Sequence, residues 1–269
     1  MKQSITLEEL AQQGNHVYID NCVINRAYNI AEIQRSVQRH DHTILDLGSL
    51  LGSARRFSGV NIRNLHREAV HVLGLQKVLE RFRSIRSAHE IILEHEAYLL
   101  HIKRALDYLS DNSVRRKGKK SALLAQAIDG HSRINQLLQE HSTSHPEAEE
   151  ISRFMCENKL YRPYDVKFHK RFSEPEESYA DASLVSHALL DKNPSGVVIA
   201  TADTDIINLL RNYYKYRQEG KLPSHFPYHD IKIYFPDNLR WFHGLQMSLS
   251  YSEEAETVRI KLPEIVTGF

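Results

Sequence analysis

Four aspartates occupy positions where carboxylates can do chemistry. Asp20 closes the apolar run Val17-Tyr18-Ile19, and Asp203 and Asp205 follow the run Val197-Val198-Ile199-Ala200 just after Thr201. Asp181 stands near the start of the helical stretch that leads into that second run. Short β-branched apolar runs read as strands, and an unbroken one reads as a buried parallel strand. In a parallel α/β sheet, ligands bind beyond the carboxyl ends of the strands, so Asp20, Asp203 and Asp205 are expected in one crevice. Carboxylates crowded together repel one another and persist when a divalent cation neutralises them. Hard oxygen donors favour Mg²⁺ or Mn²⁺ over Zn²⁺, and such a cation can activate water and stabilise a phosphoryl transition state. Each acid also has a plainer reading. Asp20 and Asp203 can cap the helices that follow them, and Asp181 suits a first helical turn through the helix dipole alone.

The elements that must position these acids follow from periodicity. The sequence predicts a short helix over Thr6–Gln13, a strand over His16–Asp20 and a helix over Asn21–Ile33. A helix is expected from Asn61 to Glu80, a short strand over Phe82–Arg86, and a long amphipathic helix over Ser87–Leu109, with Ser87 as N-cap and Glu90 at the capping-box position. Helices follow over Ser121–Glu140, Glu147–Asn158, Glu177–Asp191 and Asp203–Tyr216, and strands over Val197–Ala200, Ile231–Phe235 and Thr257–Leu262. Strands separated by helices imply a parallel sheet with right-handed crossovers. The expected architecture is one α/β domain over residues 1–269, its sheet drawn from the first and last thirds, with a helical insertion over 99–178.

Composition narrows the class. The chain has 269 residues, 35 Lys+Arg against 34 Asp+Glu, and 41% apolar residues, which excludes a collagen, a mucin-like stalk and a disordered acidic tail. No run approaches the ~18 apolar residues of a membrane span. Met1-Lys2-Gln3-Ser4 leads into mixed polar residues rather than a signal-peptide core. Cys22 and Cys156 form no metal or disulfide pattern. The expectation is a cytoplasmic protein without membrane contact. The near-zero net charge hides a polarity: Leu51–Lys120 holds 15 basic against 7 acidic residues, and Arg171–Asp205 holds 2 against 7. A basic surface for an anionic partner beside an acidic pocket for cations is the functional reading. The 16 histidines include no HExxH, and His40-Asp41-His42 is the nearest approach to a metal cluster. Gly48, Gly52 and Gly59 do not form a phosphate loop.

Three segments carry a family resemblance. Val17-Tyr18-Ile19-Asp20-Asn21-Cys22-Val23-Ile24 resembles the opening strand of PIN-domain nucleases. Tyr179-Ala180-Asp181-Ala182-Ser183-Leu184-Val185-Ser186-His187-Ala188 is similar to that family's third-acid helix. Val198-Ile199-Ala200-Thr201-Ala202-Asp203-Thr204-Asp205-Ile206 is similar to its last motif, much of which the related NYN branch shares. The resemblance implies a PIN-like three-layer fold around a central parallel sheet, and a metal-dependent phosphodiesterase, usually an endoribonuclease. It implies that Asp20, Asp181 and Asp203 ligate Mg²⁺ or Mn²⁺, that Asp205 supports a second metal or the water, and that Thr201 orients a carboxylate or that water. The family also places a glutamate on the helix after the second strand. Glu90, Glu94 and Glu96 are the candidates, and Glu94 is chosen because it follows Ile91-Ile92-Leu93 and flanks the apolar face. The chain departs from compact members in the long spacing from Asp20 to this glutamate and in its large insertion. That insertion would serve as a lid, a dimer surface or a platform for a protein partner.

The substrate side rests on charge. Arg115, Arg116, Lys117, Lys119 and Lys120 form a basic cluster that would contact phosphates and guide nucleic acid, RNA rather than DNA, to the acids. Arg81, Arg83 and Arg86 flank the second strand and would do the same. Tyr213, Tyr214 and Tyr216 either stack on bases or pack their helix on the sheet. The alternative function is a catalytically inactive PIN-like scaffold that binds RNA or a protein. A haloacid-dehalogenase-like phosphatase would need Asp-x-Asp where this chain has Asp20-Asn21-Cys22. No GxSxG supports serine hydrolysis, and Cys22 reads as a core residue.

Overall fold

The computed structural model describes residues 6–24, 62–97, 99–100, 118–142, 144–162, 179–201, 203–236, 244–252 and 257–261. The chain divides into two compact units, one of residues 1–23, 82–92 and 141–269, the other of residues 24–81 and 93–140. Helices 146–157 and 179–190 thus belong with the sheet. Among the described residues no helix is long and apolar enough to cross a membrane.

The first unit is built on one sheet. Its strands are β1 (His16–Ile19), β2 (Ile85–Arg86), β3 (Val197–Ala200), β4 (Ile231–Pro236), β5 (Gly244–Ser252) and β6 (Thr257–Lys261), in the order β2-β1-β3-β4-β5-β6. The first four are parallel and the last two join antiparallel, so the fold is α/β. In register, Val17 lies between Ile85 and Val198, and Ile19 pairs with Ala200. Val197, Val198, Ile199 and Ala200 are all buried, as a central parallel strand covered on both faces requires. Burying each of the larger three contributes roughly 1.5–3 kcal/mol.

Local chemistry sets the boundaries. Helix α1 (Leu7–Gln12) opens with a capping box, in which Glu9 N–H donates to Thr6 Oγ1 at 3.0 Å and Thr6 N–H donates to Glu9 Oε2 at 2.6 Å. A short helix α2 (Asn21–Ile24) follows β1, and α3 spans Ile62–Arg81. β2 is shorter than its sequence predicts because Ile85 N–H donates to the Phe82 carbonyl at 3.2 Å, closing a turn over the residues expected to extend. The next helix, α4, starts at residue 89. Ser87 does not cap it: its buried hydroxyl donates to the Ile19 carbonyl at 2.7 Å and so ties this segment to β1. The remaining helices are α5 (Gly118–His141), α6 (Pro146–Glu157), α7 (Tyr179–Leu190) and α8 (Thr204–Gln218). Helix α6 packs on α7, where the buried Ser152 and Ser186 hydroxyls lie 3.0 Å apart. Strand β5 was not expected, although Leu245, Met247, Leu249 and Tyr251 alternate with polar residues at strand period.

At the end of α7 a buried carboxylate joins three elements. Asp191 accepts from Tyr18 Oη at 2.9 Å and Arg86 Nη1 at 3.2 Å, and lies 2.7 Å from His16 Nδ1. The Arg86 guanidinium is therefore committed to the fold rather than offered to phosphate. The tyrosines of α8 are also structural: Tyr213 and Tyr214 are buried, and their hydroxyls donate to the Pro227 and His229 carbonyls at 2.7 and 3.0 Å.

The second unit holds α3 and nearly all of α5. Ala69, Val72, Leu75, Leu79, Ile134, Leu137 and Leu138 are buried in it. So are His95, His131 and Asn135. His95 Nε2 lies 3.1 Å from His131 Nδ1, and His95 Nδ1 is hydrogen-bonded to Asn135 Oδ1.

Candidate functional site

The strand order fixes where a site can form. The chain leaves β1 for β2 on one side and returns to β3 on the other. The direction of winding therefore reverses between β1 and β3, and that reversal opens a crevice at their carboxyl ends. Asp20 follows β1 and Thr201 follows β3. The ladder runs one residue past both strands, because Asp20 N–H donates to the Ala200 carbonyl and Thr201 N–H to the Tyr234 carbonyl, each at 3.1 Å. Both side chains are thus rooted in sheet hydrogen bonds.

A chain of hydrogen bonds joins the acids. Thr201 Oγ1, fully buried, donates to Asp20 Oδ2 at 2.7 Å and accepts from Asp203 N–H at 2.8 Å. Asp203 is the N-cap of α8, and its Oδ1 accepts from Asp205 N–H at 2.8 Å. Cys22 Sγ donates to Asp20 Oδ2 at 2.8 Å and lies 3.7 Å from Thr201 Oγ1. Asp20 is 3% exposed. Burial pushes its carboxyl above the usual carboxylate range, and the charge of Asp203 pushes the same way. The hydrogen bonds from Cys22, Thr201 and the Asn21 backbone oppose that shift.

The other expected residues fall around this chain. Asp205 is half-buried in the first turn of α8 and enters the network through its backbone. Asp181 is half-buried in the first turn of α7, where its charge and, more strongly, burial raise the Cys156 thiol to about 11. Glu94 is exposed and belongs to the second unit. Glu90 is the glutamate that reaches α7: Ser183 Oγ donates to its Oε2. The sequence puts Glu90 at a capping-box position, and the displaced start of α4 removes that role. Cys22 was read as core, although its spacing of two from Asp20 across a helix start is the signal of a side chain turned back on that carboxylate. Arg115, Arg116 and Lys117 lie outside the described residues, as does His40-Asp41-His42, while Lys119 and Lys120 lie in the first turn of α5.

Among the described residues, no three His, Cys, Asp or Glu side chains stand close enough to hold a metal ion. Asp181, Asp205 and Glu90 therefore do not join Asp20 and Asp203 as a ready-made ligand set. Two carboxylates nevertheless fit one class of ion. Mg²⁺ is commonly held by one or two protein carboxylates, with waters and substrate phosphates completing its shell. A buried carboxylate whose ionisation is opposed by burial and by a neighbouring acid is also one that a cation would stabilise. No family model, curated protein or solved structure matches this chain.

Proposed function

We propose that this chain is a Mg²⁺- or Mn²⁺-dependent PIN-like nuclease that hydrolyses phosphodiester bonds, in RNA rather than DNA. One observation carries the reading: the Asp20 carboxylate and the Asp203 backbone N–H share the buried Thr201 hydroxyl at the point where the parallel sheet reverses its winding. A bound divalent cation would supply an ionised water and positive charge for the developing phosphoryl negative charge. The protein's own part is positional. Asp20 and Asp203 would hold the cation, Thr201 fixes the Asp20 carboxylate, and the cap of α8 fixes Asp203. Glu90 and Asp181, both near or on α7, would orient water or substrate from that helix. Lys119 and Lys120, with Arg115, Arg116 and Lys117, would supply phosphate contacts that weaken as salt rises.

The test is cleavage of labelled single-stranded RNA and DNA in Mg²⁺, Mn²⁺ or EDTA by wild type, Asp20→Asn and Asp203→Asn. Metal-dependent cleavage of RNA is expected, with each variant slower by on the order of a hundred- to a thousandfold. Cleavage that survives both substitutions or EDTA overturns the assignment. Binding of RNA without cleavage under every condition favours the inactive scaffold instead.

A further inference from the structure

A cavity of about 670 Å³ opens in the first unit, within the size range of small-molecule sites. Two connections line it, residues 191–193 between α7 and β3 and residues 225–229 between α8 and β4, together with the start of α6. Both connections enter parallel strands, so the cavity lies at the amino edge of the sheet, opposite the edge that carries Asp20 and Thr201. It is a separate feature from the candidate nuclease site.

Its walls are of two kinds. Phe226 is buried and Tyr228 is 50% exposed, an unusual exposure for a large ring. Both rings are held edge-on by neighbours, Phe226 by Phe154 at 5.4 Å and Tyr228 by Tyr214 at 5.6 Å between centroids. The polar wall carries the carboxylates Glu147, Glu150 and Asp191 against the single ammonium of Lys192. Asp191 is already matched by Arg86. Glu147 and Glu150 are exposed, and Glu150 Oε1 lies 3.2 Å from His225 Nε2. His229 adds little positive charge at neutral pH, because burial lowers its pKa. The Tyr228 ring already attracts one guanidinium, with Arg217 Cζ 6.0 Å from its centroid.

A rigid aromatic face beside two carboxylates is what a flat, donor-rich cation requires. Carboxylates take its N–H groups in charge-assisted bonds, and rings take its face. We propose that this cavity binds a guanidinium group, with the exposed Tyr228 ring on its face and Glu147 and Glu150 on its donors. The group would come either from an arginine side chain in a polypeptide or from a free small molecule.

The experiment titrates the full-length chain by calorimetry with doubly blocked Gly-Arg-Gly, with its citrulline counterpart, which has the same shape and no charge, and with agmatine. Saturable binding of the arginine peptide or agmatine is expected, with the citrulline peptide at least about tenfold weaker. Tyr228→Ala and the double variant Glu147→Gln/Glu150→Gln should each lose about tenfold, with thermal midpoints unchanged. These sites are exposed, so the variants retain the fold. Tighter binding of the peptide assigns a protein partner, and tighter binding of agmatine a small molecule. Equal affinity for citrulline, wild-type affinity in both variants, or no saturation by either cation overturns the proposal.

Discussion

Asp20 is kept ionisable where water scarcely reaches it, and this has a thermodynamic signature separate from any activity. Its carboxyl is raised by burial, so ionisation at neutral pH opposes folding. Asp20→Asn is therefore expected to raise the thermal midpoint, on a scale where about 1 kcal/mol moves a chain of this size by ~2–4 °C. Millimolar Mn²⁺ should raise the midpoint of wild type and leave Asp20→Asn unmoved. Thermal melts of both proteins with and without metal check this, and a variant that melts lower sinks it. Thr201 makes the opposite case. Thr201→Val removes both the donor to Asp20 and the acceptor for Asp203 N–H at a fully buried position. It should cost about 1–3 kcal/mol in denaturant unfolding, and Thr201→Ser should recover most of it. That Asp20 and Asp203 share one hydroxyl is legible in the sequence because strand ends fix both positions. The Glu90 contact is not, because it depends on where a helix starts and which way its first side chains turn.

Among the elements, helices α3 and α5 show how little room the second unit leaves. Gly130 lies on the buried side of α5, and a Cβ there would stand 2.2 Å from Val72 Cγ1 of α3. Gly130→Ala would gain up to about 1 kcal/mol of helix propensity but overpack a core, which costs ~1–3 kcal/mol. A net loss of stability is expected, with recovery in Gly130→Ala/Val72→Ala. Chemical denaturation of the two proteins measures it, and a stabilised single variant would sink the idea. Most elements are legible from periodicity to within a few residues, since α3, α5, α6, α7 and α8 each bury one face or more. Two of the failures are set by hydrogen bonds that periodicity does not encode, the turn that Ile85 N–H closes on the Phe82 carbonyl at β2 and the Ser87 bond to the Ile19 carbonyl before α4. The division into two units is likewise a property of packing, which periodicity does not encode.

Across the whole molecule, acid should weaken the second unit more than the first, where burial lowers His187 and His229 but raises Asp20, so that the two effects offset. In the second, burial lowers His95 and His131 from 6.5 to about 3, so the unfolded chain binds more protons between those values. Stability there falls as pH drops from about 6.5 toward 3. In the first unit the raised Asp20 makes the folded state the better proton binder, so this residue gains stability as pH drops through its folded pKa toward 3.8. Hydrogen exchange near pH 4.5 should therefore lose protection in residues 62–81 and 118–141 before β1 and β3. His131→Gln should flatten the acid slope, and simultaneous loss in both units at all pH values would contradict this account. The strand order has a consequence for synthesis as well. Asp20 is joined to a threonine 181 positions later in the chain, and at ~5–20 residues per second translation takes roughly ten to forty seconds to cover that distance. Throughout that interval the apolar β1 segment awaits its main partner strand, and the two carboxylates remain apart. A nascent chain working beside messenger and ribosomal RNA therefore cannot assemble this pair until most of it has been made.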